Sequence, residues 1–203
     1  MKSSTQLSPR VRRRRVTVAK DVIKQVQAKR YLARQGRYID LLLALGDASP
    51  DVQSMVKKAR RCQVCALGGL FASYAKVYDG IALAEGPQAV YESNSVVLKA
   101  EPGERVVSPC FGVSPTADLI RSGPLGELFG TEQLALVEAA FEAVEADGSG
   151  TRSRHELSEI AGGRIEEPLY RRVVRFAKRY KTPASRMIGI MRNIVKNGGV
   201  FAP

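Results

Sequence analysis

Histidine is nearly missing from this chain of 203 residues: His155 stands alone, beside three cysteines and no tryptophan. Each scarcity closes off a class of function. A nucleophile–histidine dyad would have to use His155, and nothing around it forms a nucleophile elbow or another recognised catalytic arrangement. A structural zinc site takes four ligands, and beyond Cys62 and Cys65 the only candidates are Cys110 and His155, each isolated. Three thiols cannot all pair, which excludes a complete disulfide framework and favours a reducing compartment. No stretch approaches the roughly 20 apolar residues that span a bilayer. The Arg-rich N-terminus has no apolar run behind it, unlike a secretory signal. The expectation is a cytoplasmic, intracellular protein that is no enzyme and has no membrane contact.

Acidic residues are missing from one end. Residues 168–203 hold nine basic side chains and no acid, and residues 1–61 hold sixteen basic against four acidic. Residues 127–167 run the other way, with ten acids and three bases, within a formal net charge of +12. Such polarisation suggests a basic surface for a polyanion and an acidic segment that partly covers it.

What is present reads as an ordinary globular core, with 44% hydrophobic and 26% charged residues. Residues 1–15, with Ser, Thr, Pro and four consecutive arginines, predict a disordered basic arm. Residues 16–203 predict a single compact domain that is mainly α with one or two small β-hairpins, α+β being the alternative. A short helix from Thr17 carries Val18, Val22, Ile23 and Val26 on its inner face. Residues 29–43 predict a hairpin turning at Gly36. Ser49 and Pro50 start a helix over 50–61. Residues 62–78 form the most apolar helical segment, with Leu67, Leu70, Phe71, Tyr74 and Tyr78 on a bulky face. Cys62, Ala66, Gly69 and Ser73 make a bare stripe that lets a backbone come close. A second hairpin is expected over 95–108 about Pro102 and Gly103, and a short helix over 117–121. Helices are then expected over 132–146, 154–160, from Pro168 to about Tyr180, and over 183–196, the last closed by Asn197, Gly198 and Gly199.

RVTVAKDVIKQVQAKRYLARQG, CQVCALGGLF and SRMIGIMRNIVKNGGVF resemble small uncharacterised proteins encoded by bacteria and their phages. Those proteins pair a basic first helix with a Cys-containing Ala-Leu-Gly helix and a last helix ending in Asn-Gly-Gly. The resemblance implies a compact intracellular accessory protein and carries over no functional residue.

Two local patterns invite chemistry. Cys62 and Cys65 have the spacing of a redox or zinc pair, helped by Arg60 and Arg61, or are buried packing residues. Residues 145–156 resemble an EF-hand calcium loop, in which Glu145, Asp147, Ser149, Thr151, Ser153 and Glu156 would be the ligands and Gly150 the turn. Glu145 replaces the usual Asp, Arg152 occupies a normally apolar position, and no second hand follows, so the alternative is a polar turn between helices. Glu166 and Glu167 stand at a helix start, where the dipole favours them without further purpose.

The basic ends are the broader signal. Arg12, Arg13, Arg14, Arg15, Lys20, Lys24, Arg171, Arg172, Arg175, Lys178 and Arg179 are the candidate contacts to phosphates, with Tyr31, Tyr38 and Tyr180 available to stack on bases. No helix-turn-helix, zinc finger or other reader motif is identifiable, so the sequence gives no basis for inferring a sequence specificity. The functional expectation is a non-catalytic basic accessory protein that binds nucleic acid mainly through phosphates. The alternative is an interaction module that docks an acidic protein, tuned by calcium at the EF-hand-like loop.

Overall fold

Ser8 accepts a hydrogen bond from the Val11 N–H at 3.3 Å and Pro9 follows it, which starts helix α1 (Pro9–Gln27). The computed structural model describes residues 7–36, 38–42, 57, 61–78, 124–145 and 149–203. Residues 9–15 are therefore helical and not part of a disordered arm, because a capped start and the burial of Arg15 extend the helix beyond its apolar pattern. Residues 1–6 of the expected arm lie outside the described residues.

After α1 the chain reverses through Lys29, in the left-handed region at φ 56, into β1 (Tyr31–Ala33). Gly36 turns at φ 68 as expected, and β2 (Ile39–Leu42) follows. The two strands do not form a hairpin with each other. Between them lies β3 (Arg61–Val64), parallel to β1 and antiparallel to β2, with Cys62 opposite both Tyr31 and Leu41. Residues 62–64 were expected to be helical. They pair as a strand because buried Cys62 and Val64 alternate with half-buried Gln63, and two neighbouring strands satisfy their backbone groups.

Helix α2 (Ala66–Tyr78) leaves this sheet as the centre of the fold, with every residue from Ala66 to Ala75 buried. The expected close backbone approach is real, but it falls at Gly68: a Cβ there would overlap the Tyr38 carbonyl. A Cβ at Gly69 would instead meet Val22 and Met187 at ordinary van der Waals distance. Of the helix expected over 50–61, only Lys57, which is helical, and Arg61 are described. The hairpin over 95–108 and the helix over 117–121 lie outside the described residues.

Helices α3 (Pro124–Phe129), α4 (Thr131–Glu142), α5 (Arg154–Ala161), α6 (Glu167–Ala177) and α7 (Pro183–Lys196) complete seven helices among the described residues. The protein is mainly α with a small sheet. Helix α4 ends short of the expected residue 146, because Val144 forms an antiparallel bridge with Thr151 and Glu145 N–H donates to the Gly150 carbonyl at 3.0 Å. Thr182 and Ser185 cap α7 reciprocally, and Gly198 and Gly199 close it at φ 63 and 97.

Helices α1 and α7 run antiparallel. Gly199 abuts Arg15, while Val22 and Met187 meet at Gly69. Phe201 then packs edge-on against Phe176 at 5.2 Å, tying the C-terminal tail to α6. Fully buried side chains such as Leu67, Leu70, Phe141 and Phe201 each contribute about 1.5–3 kcal/mol.

Candidate nucleic-acid interface

The buried side of α1 holds Val18, Ala19, Val22 and Val26, so helical periodicity turns Arg10, Arg13, Lys20 and Lys24 outward along one stripe. All four are exposed. The only acid of the helix, Asp21, is drawn away from this stripe: its carboxylate accepts from Lys76 of α2 at 3.1 Å and from Gln25 at 3.0 Å. Lys20 and Lys24 thus stand where the sequence puts them, and Arg10 joins them. Its signal was the Ser8-Pro9 helix start, which places Arg10 in register with Arg13. Arg12 is also exposed but lies on another side of α1, near Gly199. Arg192 and Lys196 are exposed towards the end of α7, which antiparallel packing brings to the Arg12 end of α1.

Helix α6 supplies a second basic face. Val173, Phe176 and Ala177 are buried, which leaves Arg171, Arg172 and Arg175 exposed, with Lys178 and Arg179 exposed in the turn that follows. Arg171 is partly neutralised, since its Nε donates to Glu167 at 2.7 Å. Glu167 also meets Arg154 at 3.7 Å, and Glu166 meets Arg164 at 3.1 Å, so the two acids at the helix start serve local pairs. Arg179 rests over the Phe176 ring at 5.9 Å.

Two of the arginines expected to contact phosphate have other partners. Arg14 donates to the Tyr74 hydroxyl at 3.3 Å, and its guanidinium covers the Tyr78 ring at 4.4 Å. Arg15 is buried, donating through Nε to the Leu128 carbonyl at 2.7 Å and through Nη1 to the Gly199 carbonyl at 3.2 Å. It joins α1 to the ends of α3 and α7 and does not reach the surface. Tyr31 and Tyr38 are likewise buried, with Tyr31 accepting from Ser73 and Tyr38 donating to Glu138 at 2.5 Å. Neither can stack on a base; Tyr180, half-buried, keeps a surface-facing part.

The EF-hand-like loop is put to other uses. Ser153 caps α5 by accepting from Glu156 N–H at 3.2 Å, while the Glu156 carboxylate accepts from Ser153 N–H at 2.7 Å. That reciprocal pair lowers the Glu156 carboxyl from its ordinary pKa and commits an oxygen that a calcium ion would need. Glu145 faces Arg152 at 3.7 Å. Thr151 pairs with Val144 of its own turn, and Ser149 is exposed beside it. Asp147 lies outside the described residues. No three His, Cys, Asp or Glu side chains converge as metal ligands among the described residues.

Cys62 and Cys65 are free and buried. Burial pushes the Cys62 thiol up to about 12 and the Cys65 thiol well above its ordinary value, so neither supplies a thiolate near neutrality. Cys65 instead accepts the Gly68 N–H at 3.4 Å at the start of α2. His155 projects into solvent, its side chain 82% exposed.

A group of charges inside the protein had no reading in the sequence. Arg186 is wholly buried, and its Nη1 donates to the Phe141 and Val144 carbonyls, each at 2.7 Å, at the end of α4. Gln35 Nε2 donates to the same two carbonyls. Alongside, buried Glu142 accepts from Gly36 N–H at 3.3 Å. Desolvation pushes the Glu142 carboxyl up to about 7 against the opposing pull of Gly36 N–H, Arg152 and Arg186. These groups stop α4 and fasten the β1–β2 turn to it.

Among the described residues no helix is long and apolar enough to cross a membrane. Comparison with family models, curated proteins and solved structures finds no match.

Proposed function

We propose that this protein is a non-catalytic, basic accessory protein that binds nucleic acid through its phosphates. The observation that carries the reading is the exposed, acid-free stripe of Arg10, Arg13, Lys20 and Lys24 on α1. Fourteen helical steps separate its ends, about 21 Å at 1.5 Å per residue. One strand of a duplex presents a phosphate about every 3.4 Å of axis, so four cations on a rigid rod of that length can each meet a different phosphate. The exposed Arg172 and Arg175 of α6, with Arg179 just beyond its end, add a second contact face. Lysine and arginine heads on such faces read charge and carry no base information, so affinity is expected to be insensitive to sequence.

The test is fluorescence anisotropy with duplex DNA, single-stranded DNA and RNA across a salt series. Four neutralised phosphates on B-DNA give a log–log salt slope of about −3.6, and Arg13→Gln/Lys20→Gln/Lys24→Gln should flatten it by about 2.7. Far-UV circular dichroism should be unchanged, because all three side chains lie outside the core. Failure to bind any of the three at about 50 mM salt, or an unchanged slope in the triple variant, overturns the proposal. The first result would leave the basic faces to an acidic protein partner.

A further inference from the structure

Between Ser8 and Thr17 a single side chain is buried, and it is charged: Arg15, 7% exposed. Its Nε donates to the Leu128 carbonyl at 2.7 Å, its Nη1 to the Gly199 carbonyl at 3.2 Å, and its guanidinium lies over the Phe129 ring at 5.4 Å. Leu128 is in the last turn of α3, where carbonyls lack partners within the helix and the dipole favours a cation. The contact is tight on the α7 side as well. A Cβ at Gly199 would stand 3.0 Å from the Arg15 Cβ and 3.4 Å from the Arg12 carbonyl, so a glycine there, at φ 97, lets the exit of α7 close onto α1. Both hydrogen bonds go to carbonyls and neither to a carboxylate. Such a guanidinium is costly to bury, and an apolar side chain would fill the space at lower cost. Its advantage is reach, since one rigid fork fixes α1 to two separate elements.

We infer that Arg15 is the positioning residue of the basic stripe, holding the first turns of α1 so that Arg10 and Arg13 stay in register with Lys20 and Lys24. The inference rests on the nucleic-acid reading of that stripe. At 3.6 residues per turn Arg13 projects about 200° around the helix from Arg15, so a side chain buried on one side fixes the direction of a cation on the other. The remaining supports of these turns are lighter: Ser8 caps the start, Val11 is half-buried, and Arg14 covers the Tyr78 ring. Lys20 and Lys24 need no such anchor, because Val18, Ala19, Val22 and Val26 are buried beside them. Without Arg15 the first two turns become a helix end with little tertiary packing, and such ends fray. Frayed arginines keep their charge and still reach phosphates, but each contact then costs the ordering of its side chain.

The test is a mutant cycle read by anisotropy on one duplex DNA at fixed salt, with Arg15→Gln made in the natural protein and in an Arg10→Gln/Arg13→Gln background. In the natural protein Arg15→Gln should weaken binding about fivefold or more, the ordering cost of two side chains. In the background that lacks both arginines it should change nothing, because Arg15 acts only through them. A residue that merely stabilises the fold, or one that touches phosphate itself, would cost the same in both. Arg15→Lys, which keeps the charge and a donor, should recover part of the loss. Amide exchange supplies a readout without nucleic acid: Arg12, Arg13 and Arg14 should exchange faster in Arg15→Gln, while Val22 and Met187 keep their protection. If Val22 and Met187 lose theirs, the whole fold has opened, and Arg15→Lys replaces Arg15→Gln in the cycle; its smaller loss should again vanish in the double-Gln background. Equal loss in both backgrounds, or no loss in the natural protein, overturns the inference and leaves the nucleic-acid reading standing. No binding by the natural protein overturns both.

Discussion

Glu142→Gln should stabilise the protein at alkaline pH and leave it unaltered in mild acid. Glu142 is buried, and its pKa rises from 4.5 to about 7 chiefly by desolvation. A carboxyl whose folded pKa is raised contributes its stability fully below the unfolded value. That contribution is lost as the pH climbs through the folded value. The window therefore runs from about pH 4.5 to about pH 7. A shift of roughly 2.5 units at 1.36 kcal/mol each is about 3 kcal/mol. Gln stands in for the protonated acid, and its amide oxygen still accepts from Gly36 N–H, so the attraction of Arg186 for the charged form is already contained in the shift. Urea unfolding of both proteins at about pH 5 and about pH 8 measures the effect. The variant should be nearly equal in stability at the lower pH and more stable by about 2–3 kcal/mol at the higher. A gap that is independent of pH, or one that favours the natural protein more as pH rises, would refute a carboxyl held neutral by burial.

Four further outcomes are expected. Gly68→Ala should cost well over 3 kcal/mol or abolish folding, as read by thermal unfolding, because the new methyl overlaps the fixed backbone of Tyr38. In a Cys110→Ser background, Cys62 and Cys65 should react with a disulfide reagent only at the rate of unfolding; fast labelling in buffer would contradict their burial and raised pKa values. Ser153→Ala should lower stability by about 1 kcal/mol through loss of the α5 cap. Millimolar calcium should leave the melting temperature of the unaltered protein where it is, since Glu156 already serves that cap; a rise of several degrees that vanishes in Glu156→Gln would restore the calcium reading.

Helices α6 and α7 were legible because their signals are local. Pro168 in the first turn of α6, Thr182 ahead of Pro183, and the glycines after Asn197 act within one turn of the residues they govern. The apolar stripe Val173, Phe176 and Ala177 shows at helical spacing which side faces inward. The exposed Lys20, Lys24, Arg172 and Arg175 followed for the same reason, being the residues such a stripe leaves over.

By itself, then, the sequence determined the end helices, their buried faces and the excess of positive charge at both ends. It could not determine where β3 lies, because Cys62, Gln63 and Val64 have no helix-breaking residue among them and become a strand only by pairing with β1 and β2 from elsewhere in the chain. Nor could it separate Arg13 from Arg15, neighbours in one basic run. The first faces solvent, and the second is buried because carbonyls at Leu128 and Gly199 converge on it from more than a hundred residues away. Arg186 was hidden in the same way: only the packed fold brings the open carbonyl end of α4 to the inner side of α7. A charged side chain is cheapest in water, so its burial is decided by acceptors that exist only once distant segments have met.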